Sequence, residues 1–314
     1  MPILKAMNTK TPLPKILIVC GPTAVGKSDL AVELALTFNG EIVSADSRQV
    51  YIGLNIGTGK ITLPEMKGVP HHLIDITDPK KRFSVAEYVT QAEVVIQDML
   101  KRGKLPIICG GTGFYIQALV DGALFPEVPP NETLREELES LTLQELTKRL
   151  KQLDPKRIKT FNADDSKNPR RLIRAIEIAT QLGSAPSLSE LSVEPTYNPF
   201  FIGLNVDTDT IKEKIHTRLL KRLDAGMIQE VEQLHAQDLS YERMDELGLE
   251  YRYVARLLQK QLTMEEMIVR LNMEIWHYAK RQMTWFKRNK RIQWFAPTDT
   301  EKIIEKAGSF LSKN

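Results

Sequence analysis

Gly21-Pro22-Thr23-Ala24-Val25-Gly26-Lys27-Ser28 fills every fixed position of the pattern G-x-x-x-x-G-K-[ST], in which backbone amides wrap an anion. The sequence on either side decides the fold. Lys15-Ile16-Leu17-Ile18-Val19-Cys20 is an apolar run of strand length, and Ser28 to Ala35 carries apolar residues at helical spacing. Strand, loop and helix therefore follow one another in the order this motif requires. The glycines let N–H groups turn inward, the helix N-terminus adds its positive dipole end, and Lys27 supplies a point charge for a terminal phosphate. A plain tight turn is the alternative, and the flanking strand and helix weigh against it. The loop specifies a nucleotide or a diphosphate without saying which.

With 42% hydrophobic and 26% charged residues among 314, the chain has an ordinary globular composition and room for one large domain with an insertion, or for two domains. A net charge of +3 is too mild to indicate nucleic acid by itself, so any such reading rests on where the basic residues sit. Cys20 and Cys109 each close an apolar run just before glycine; they read as small buried residues without metal-ligand spacing. No apolar run approaches the roughly 20 residues of a membrane span, and no charged-then-apolar leader opens the chain. The expectation is a cytoplasmic protein with no membrane segment. Residues 1 to 14 read as a loose leader, with Met7 an alternative start.

Further along, Glu41-Ile42-Val43-Ser44-Ala45-Asp46 is a short strand ending in a carboxylate, at the edge where open α/β sheets bind ligands. Asp46 has three open readings: a base taking a proton from a nucleophile, a ligand to magnesium, or a cap for the next turn. Leu105 to Cys109 is another strand, followed by Gly110-Gly111-Thr112-Gly113 and a helix, which suits a second close approach of backbone to ligand or an ordinary tight turn. From 126 to 196 the strand and helix alternation gives way to charged helical sequence with proline breaks, the mark of an inserted all-helical domain. Within it Arg170, Arg171 and Arg174 share a helical face suited to phosphate or RNA, or simply to solvent. The flanking segments, 13–125 and 197–314, form one discontinuous core. Near its end Lys280-Arg281-Gln282-Met283-Thr284-Trp285-Phe286-Lys287-Arg288-Asn289-Lys290-Arg291 mixes six basic residues with aromatics and no acid. Single-stranded nucleic acid needs such a mixture, and a basic helix C-terminus with packed tryptophans would show it too.

Taken together, these residues resemble the bacterial tRNA dimethylallyltransferases, or tRNA isopentenyltransferases. The likeness runs through Gly21 to Ser28, Ser44-Ala45-Asp46-Ser47-Arg48-Gln49-Val50-Tyr51, Pro70 to Asp75, Gly110 to Tyr115, Asn168 to Ala175 and Lys280 to Trp285. It implies an α/β fold, a P-loop NTPase-like parallel sheet core with an inserted all-helical domain. It also implies transfer of a dimethylallyl group from dimethylallyl diphosphate to N6 of the adenosine 3′ of the anticodon, with Mg2+ and release of diphosphate. On this reading Gly21, Pro22, Thr23, Ala24, Val25, Gly26, Lys27 and Ser28 hold the diphosphate, with Ser28 near Mg2+. Thr23 bonds near the leaving oxygen, Arg218 meets the charge of the departing group, and Asp46 accepts the proton. Contact with tRNA falls to Asp46, Ser47, Arg48 and Gln49, to Arg170, Arg171 and Arg174, to Arg252, and to Lys280, Arg281, Gln282, Thr284, Trp285, Lys287 and Arg288. The protein is expected to act as a monomer.

Two departures stand out. Glu250 replaces a glycine of the family's usual Gly-Tyr-Arg turn, and Ile56-Gly57-Thr58-Gly59-Lys60-Ile61 departs from its usual Ala then Lys-Pro. Three other functions remain open to the same motifs: an isopentenyltransferase acting on free adenine nucleotides, a small-molecule kinase, and a nucleotide-dependent RNA-binding module.

Overall fold

Side chains alternate across a strand, so Lys15 to Cys20 can serve two cores at once only if helices cover both sheet faces. That is the arrangement in the computed structural model, whose described residues are 12–122, 128–129, 131–161, 163–183 and 196–313. Leu17 and Val19 join one apolar cluster, while Ile16, Ile18 and Cys20 join the other. The expected leader before residue 12 and the expected domain border at 125 and 126 lie outside the described residues.

The described strands are β1 (Lys15–Cys20), β2 (Gly40–Ser44), β3 (His71–His72), β4 (Leu105–Gly110), β5 (Asn198–Leu204) and β6 (Gln293–Phe295). They form one sheet in the order β3-β2-β4-β1-β5-β6, and every pairing is parallel. Helices α1 (Lys27–Thr37), α2 (Leu63–Met66), α3 (Val85–Lys101) and α4 (Gly113–Val120) belong to the first half of this unit. After an excursion through α5 (Glu132–Glu139), α6 (Leu143–Leu153), α7 (Pro155–Thr160), α8 (Ala163–Ser166) and α9 (Pro169–Leu182), the chain re-enters the sheet at β5. It then continues through α10 (Thr208–Asp224), α11 (Met227–Ala236), α12 (Tyr241–Leu247), α13 (Leu249–Leu258), α14 (Met264–Phe286) and α15 (Thr300–Ser312).

Capping chemistry fixes the long helices. Ser84 with Glu87 and Thr263 with Glu266 form reciprocal capping boxes at the starts of α3 and α14. Along α14, Met267, Leu271, Ile275, Ala279, Gln282 and Phe286 recur every three or four residues and are buried. All are apolar except Gln282.

Residues Asp121–Glu194 make a second compact unit. Its described regular elements, α5 to α9, are all helical and enclose Leu138, Leu146, Leu150, Leu172, Ile173 and Ile176. Glu177 ties this unit together from inside: its carboxylate accepts from the Asn131 N–H at 2.9 Å and from Arg135 Nε at 2.8 Å.

In the sheet unit, parallel strands bring every C-terminal strand end to one edge. The loop after β1, Asp46 after β2 and the glycine turn after β4 therefore meet there, since β4 lies between β2 and β1.

Candidate active site

The anion loop leaves β1 at Gly21 and enters α1 through Gly26, whose φ of 86° is left-handed and unfavourable for a side chain-bearing residue. Lys27 folds over its own loop, donating from Nζ to the Pro22 carbonyl at 2.6 Å. Burial, reinforced by the Arg218 charge, holds the Lys27 ammonium below its ordinary range. An anion in the loop would reverse that penalty by pairing the charge. Ser28 is exposed on the first turn of α1.

Thr23 is held at two points. Its N–H donates to Gln282 Oε1 at 2.9 Å, and its hydroxyl accepts from the Arg218 guanidinium. Burial, and then the neighbouring Arg222, bring Arg218 down to about 10, so it keeps its charge at neutral pH. Arg222 in turn pairs with Glu250 at 3.0 Å and donates to the Gly57 carbonyl at 3.2 Å. The two departures from the family pattern thus converge on Arg222: Glu250 engages its guanidinium, and that guanidinium meets the altered loop.

Asp46 stands just beyond β2, half-buried. Its Oδ1 accepts from the Arg48 N–H at 2.9 Å, so one oxygen does cap the turn, while Oδ2 takes no hydrogen bond from the described residues. The stretch around it is tied to the second glycine turn: Thr112 N–H donates to the Ala45 carbonyl at 3.1 Å, and Ser47 N–H donates to Thr112 Oγ1 at 3.0 Å. Among the described residues no group of three or more His, Cys, Asp or Glu side chains is placed to hold a metal ion.

Three participants, Tyr278, Glu230 and Tyr251, carry no signal of function of their own in the sequence. Tyr278, on α14, keeps part of its surface in solvent, yet burial and then the Asp46 carboxylate push its hydroxyl up to about 12. Helical spacing alone sets it beside its neighbours, since Tyr278, Arg281, Gln282 and Trp285 lie at i, i+3, i+4 and i+7. Glu230 accepts from the N–H groups of Asn55 (3.1 Å), Ile56 (2.7 Å) and Gly57 (3.0 Å), and from the Tyr251 hydroxyl (2.7 Å). Glu230, Tyr251 and Arg222 together set the loop after Leu54. Nothing local announced this, because the partners are far apart in the chain.

The residues expected at RNA fall into three groups. Lys280, Arg281, Thr284, Lys287 and Arg288 lie on or just after α14, all exposed. The Lys280 charge lies 6.0 Å from the Trp276 ring, Arg281 6.0 Å from Tyr278, and Arg288 6.0 Å from Trp285. Trp285 packs against one core cluster, so packing and cation contact coexist there. Ser47, Arg48 and Gln49 are half-buried in the turn after Asp46, with Gln49 Nε2 donating to the Gly59 carbonyl at 3.3 Å. A third group is engaged within the protein. Arg252 donates to the Asp245 carbonyl at 2.6 Å and pairs with the Asp245 carboxylate, and Gln282 is buried with both amide groups used. In the helical unit Arg171 pairs with Asp165, and Arg174 donates to the Val128 carbonyl at 2.9 Å and pairs with Glu177. Arg170 is exposed on the same helix.

Comparison with known proteins matches this architecture to one group. Residues 49–289 match the model of the IPP transferase family. The chain is 41% identical over 288 residues to the tRNA dimethylallyltransferase of Anoxybacillus flavithermus, an alignment covering 91% of each chain. Among solved structures it superposes on the tRNA isopentenylpyrophosphate transferase of Bacillus halodurans with a TM-score of 0.70, at 36% identity and 95% coverage of both chains. It also superposes on a eukaryotic dimethylallyltransferase acting on tRNA with a TM-score of 0.81, at 26% identity, covering 95% of this chain and 80% of the other. The P-loop NTPase-like sheet, the anion loop and the strand-end carboxylate thus sit in a chain that belongs to the IPP transferase family, that of the tRNA dimethylallyltransferases.

Proposed function

We propose that this protein transfers a dimethylallyl group from dimethylallyl diphosphate to N6 of the adenosine immediately 3′ of a tRNA anticodon, releasing diphosphate. The observation that carries the reading is Thr23. It lies within an anion loop, its hydroxyl is engaged by a half-buried, charged Arg218, and Asp46 follows β2, the strand beyond β4, with one oxygen unused by the described residues. The same loop and arginine would hold the phosphates of ATP in a kinase; membership of the IPP transferase family favours a diphosphate that leaves. N6 attacks the allylic carbon, the carbon–oxygen bond to diphosphate breaks, and Asp46 takes the proton lost from nitrogen. Arg218 and Thr23 meet the charge that develops on the departing oxygen.

Mg2+ suits the anion loop. Ser28, exposed on the first turn of α1, offers a hydroxyl, a hard donor of the kind that suits an ion arriving with diphosphate and water. When bound, it would supply charge neutralisation on the diphosphate. The exposed cations and neighbouring aromatics at the end of α14 suit the RNA partner.

The test is transfer of label. The protein is incubated with Mg2+, labelled dimethylallyl diphosphate and unmodified tRNA, and in parallel with AMP or ATP in place of tRNA. Label in tRNA alone is the expected result; label in AMP, or ATP turnover without label transfer, would overturn it.

A further inference from the structure

Gln282 lies on the buried stripe of α14, only 7% exposed, at a position where its helix neighbours on that face are apolar. A buried amide needs partners, and this one has two. Oε1 accepts from the Thr23 N–H at 2.9 Å, and Nε2 donates to the Gly111 carbonyl at 2.9 Å. One side chain thereby spans the anion loop after β1 and the glycine turn after β4. Residue 111 must lack a Cβ for this to happen, because one built there would lie 2.3 Å from Gln282 Nε2. Lys280 and Arg281, on the same helical turns, are exposed. Within one stretch of α14, the outer side chains are turned to solvent and the inner one grips the phosphate loop.

We propose that Gln282 is a positioning residue for the transfer reaction: it holds Thr23 and the Gly111 turn in register, so that the helix presenting the basic surface also sets the anion loop. This rests on the function proposed above and gives Gln282 no contact with RNA. Its amide uses a donor and an acceptor on backbone groups that have to stay fixed while the diphosphate leaves. Without it the Thr23 N–H loses its acceptor, and Thr23 keeps only the tie from Arg218. A displacement of the Thr23 hydroxyl by a fraction of an ångström then weakens interactions that matter most in the transition state.

The experiment compares wild type with Gln282→Met, which keeps the length of the side chain, and with Gln282→Leu. Turnover, KM for dimethylallyl diphosphate, the Kd for unmodified tRNA and the melting midpoint are measured for each. We expect kcat to fall about 10- to 100-fold, with tRNA affinity within about twofold and the midpoint within about 5 °C of wild type. A weakened tRNA Kd with unchanged kcat would return Gln282 to the RNA surface and overturn the proposal. Unchanged kcat and Kd would overturn it too, as would failure of both variants to fold, which would make the residue a determinant of the fold alone. A wild-type protein that labels no tRNA would refute the function instead, whereas normal wild-type transfer beside an unimpaired variant refutes only the role of Gln282.

Discussion

Asp46 and Gln282 show how unequally a single residue's place in the fold is written in a sequence. Asp46 was legible because a carboxylate closing an apolar strand has few places to go in a parallel sheet, and the structure keeps Oδ2 clear of hydrogen bonds from the described residues while Oδ1 caps the turn. If Oδ2 takes the proton from N6, Asp46→Asn keeps the size and the capping oxygen and removes the base. Turnover should drop by about two to four powers of ten, with tRNA and diphosphate affinities nearly unchanged. Single-turnover kinetics beside equilibrium binding check this, and a loss confined to affinity would reassign Asp46 to binding. Gln282 was not legible in the same way. In a run of cations a neutral amide reads as one more RNA contact, and only the tertiary fold shows that it faces inward toward Thr23 and Gly111. The partners of Arg252 and Arg174 were hidden for a related reason, since an arginine's charge is visible in sequence and the carbonyls that engage it are not.

At the level of elements, α14 divides its labour by face. The inward stripe from Met267 to Phe286 fixes the helix against the sheet unit, and Lys287 and Arg288 stand exposed where the helix ends. Cations at a helix C-terminus gain from the macrodipole whether or not they meet RNA, so their position alone does not decide their use. Salt dependence does. If both side chains neutralise phosphates, Lys287→Gln with Arg288→Gln should weaken tRNA binding and reduce the log–log salt slope by up to about one unit for each phosphate left without its cation. Filter binding between low and moderate salt measures it, and an unaltered slope would leave the pair with a helix-capping role only. The loop after Leu54 is the opposite case. Its conformation depends on a carboxylate from α11 and a hydroxyl and a guanidinium from α13 and α10, partners that no local pattern could have named.

Across the molecule, stability is organised away from the chemistry. Glu41 lies at the N-terminal end of β2, opposite the ligand edge, where its carboxylate accepts from Arg102 at 2.8 Å and from His72 at 2.8 Å. The Arg102 hydrogen bonds, with help from His72 and against the cost of burial, lower its pKa from 4.5 to about 2. A folded-state pKa below the unfolded one contributes stability that is complete above the unfolded value and is lost as pH falls toward the folded one. Glu41→Gln should therefore lower the melting temperature at neutral pH, with the gap to wild type closing between pH 4.5 and about 2; a gap independent of pH would mean the charge is not what stabilises.

The helical unit has its own small core, with Leu138, Leu150, Leu172 and Ile176 fully buried and separate from the two clusters that flank the sheet. A core of that size has little packing to spare, and Leu172→Ala should cost about 2–5 kcal/mol through lost burial and the cavity left behind. Because the two units have separate cores, that cost belongs to one of them. Amide hydrogen exchange should accelerate in α5, α6 and α9 and remain at wild-type rates in β1, β4 and β5. Equal acceleration in the strands would show instead that the chain unfolds as one cooperative body, with the inserted helices contributing directly to the stability of the sheet that carries Thr23 and Asp46.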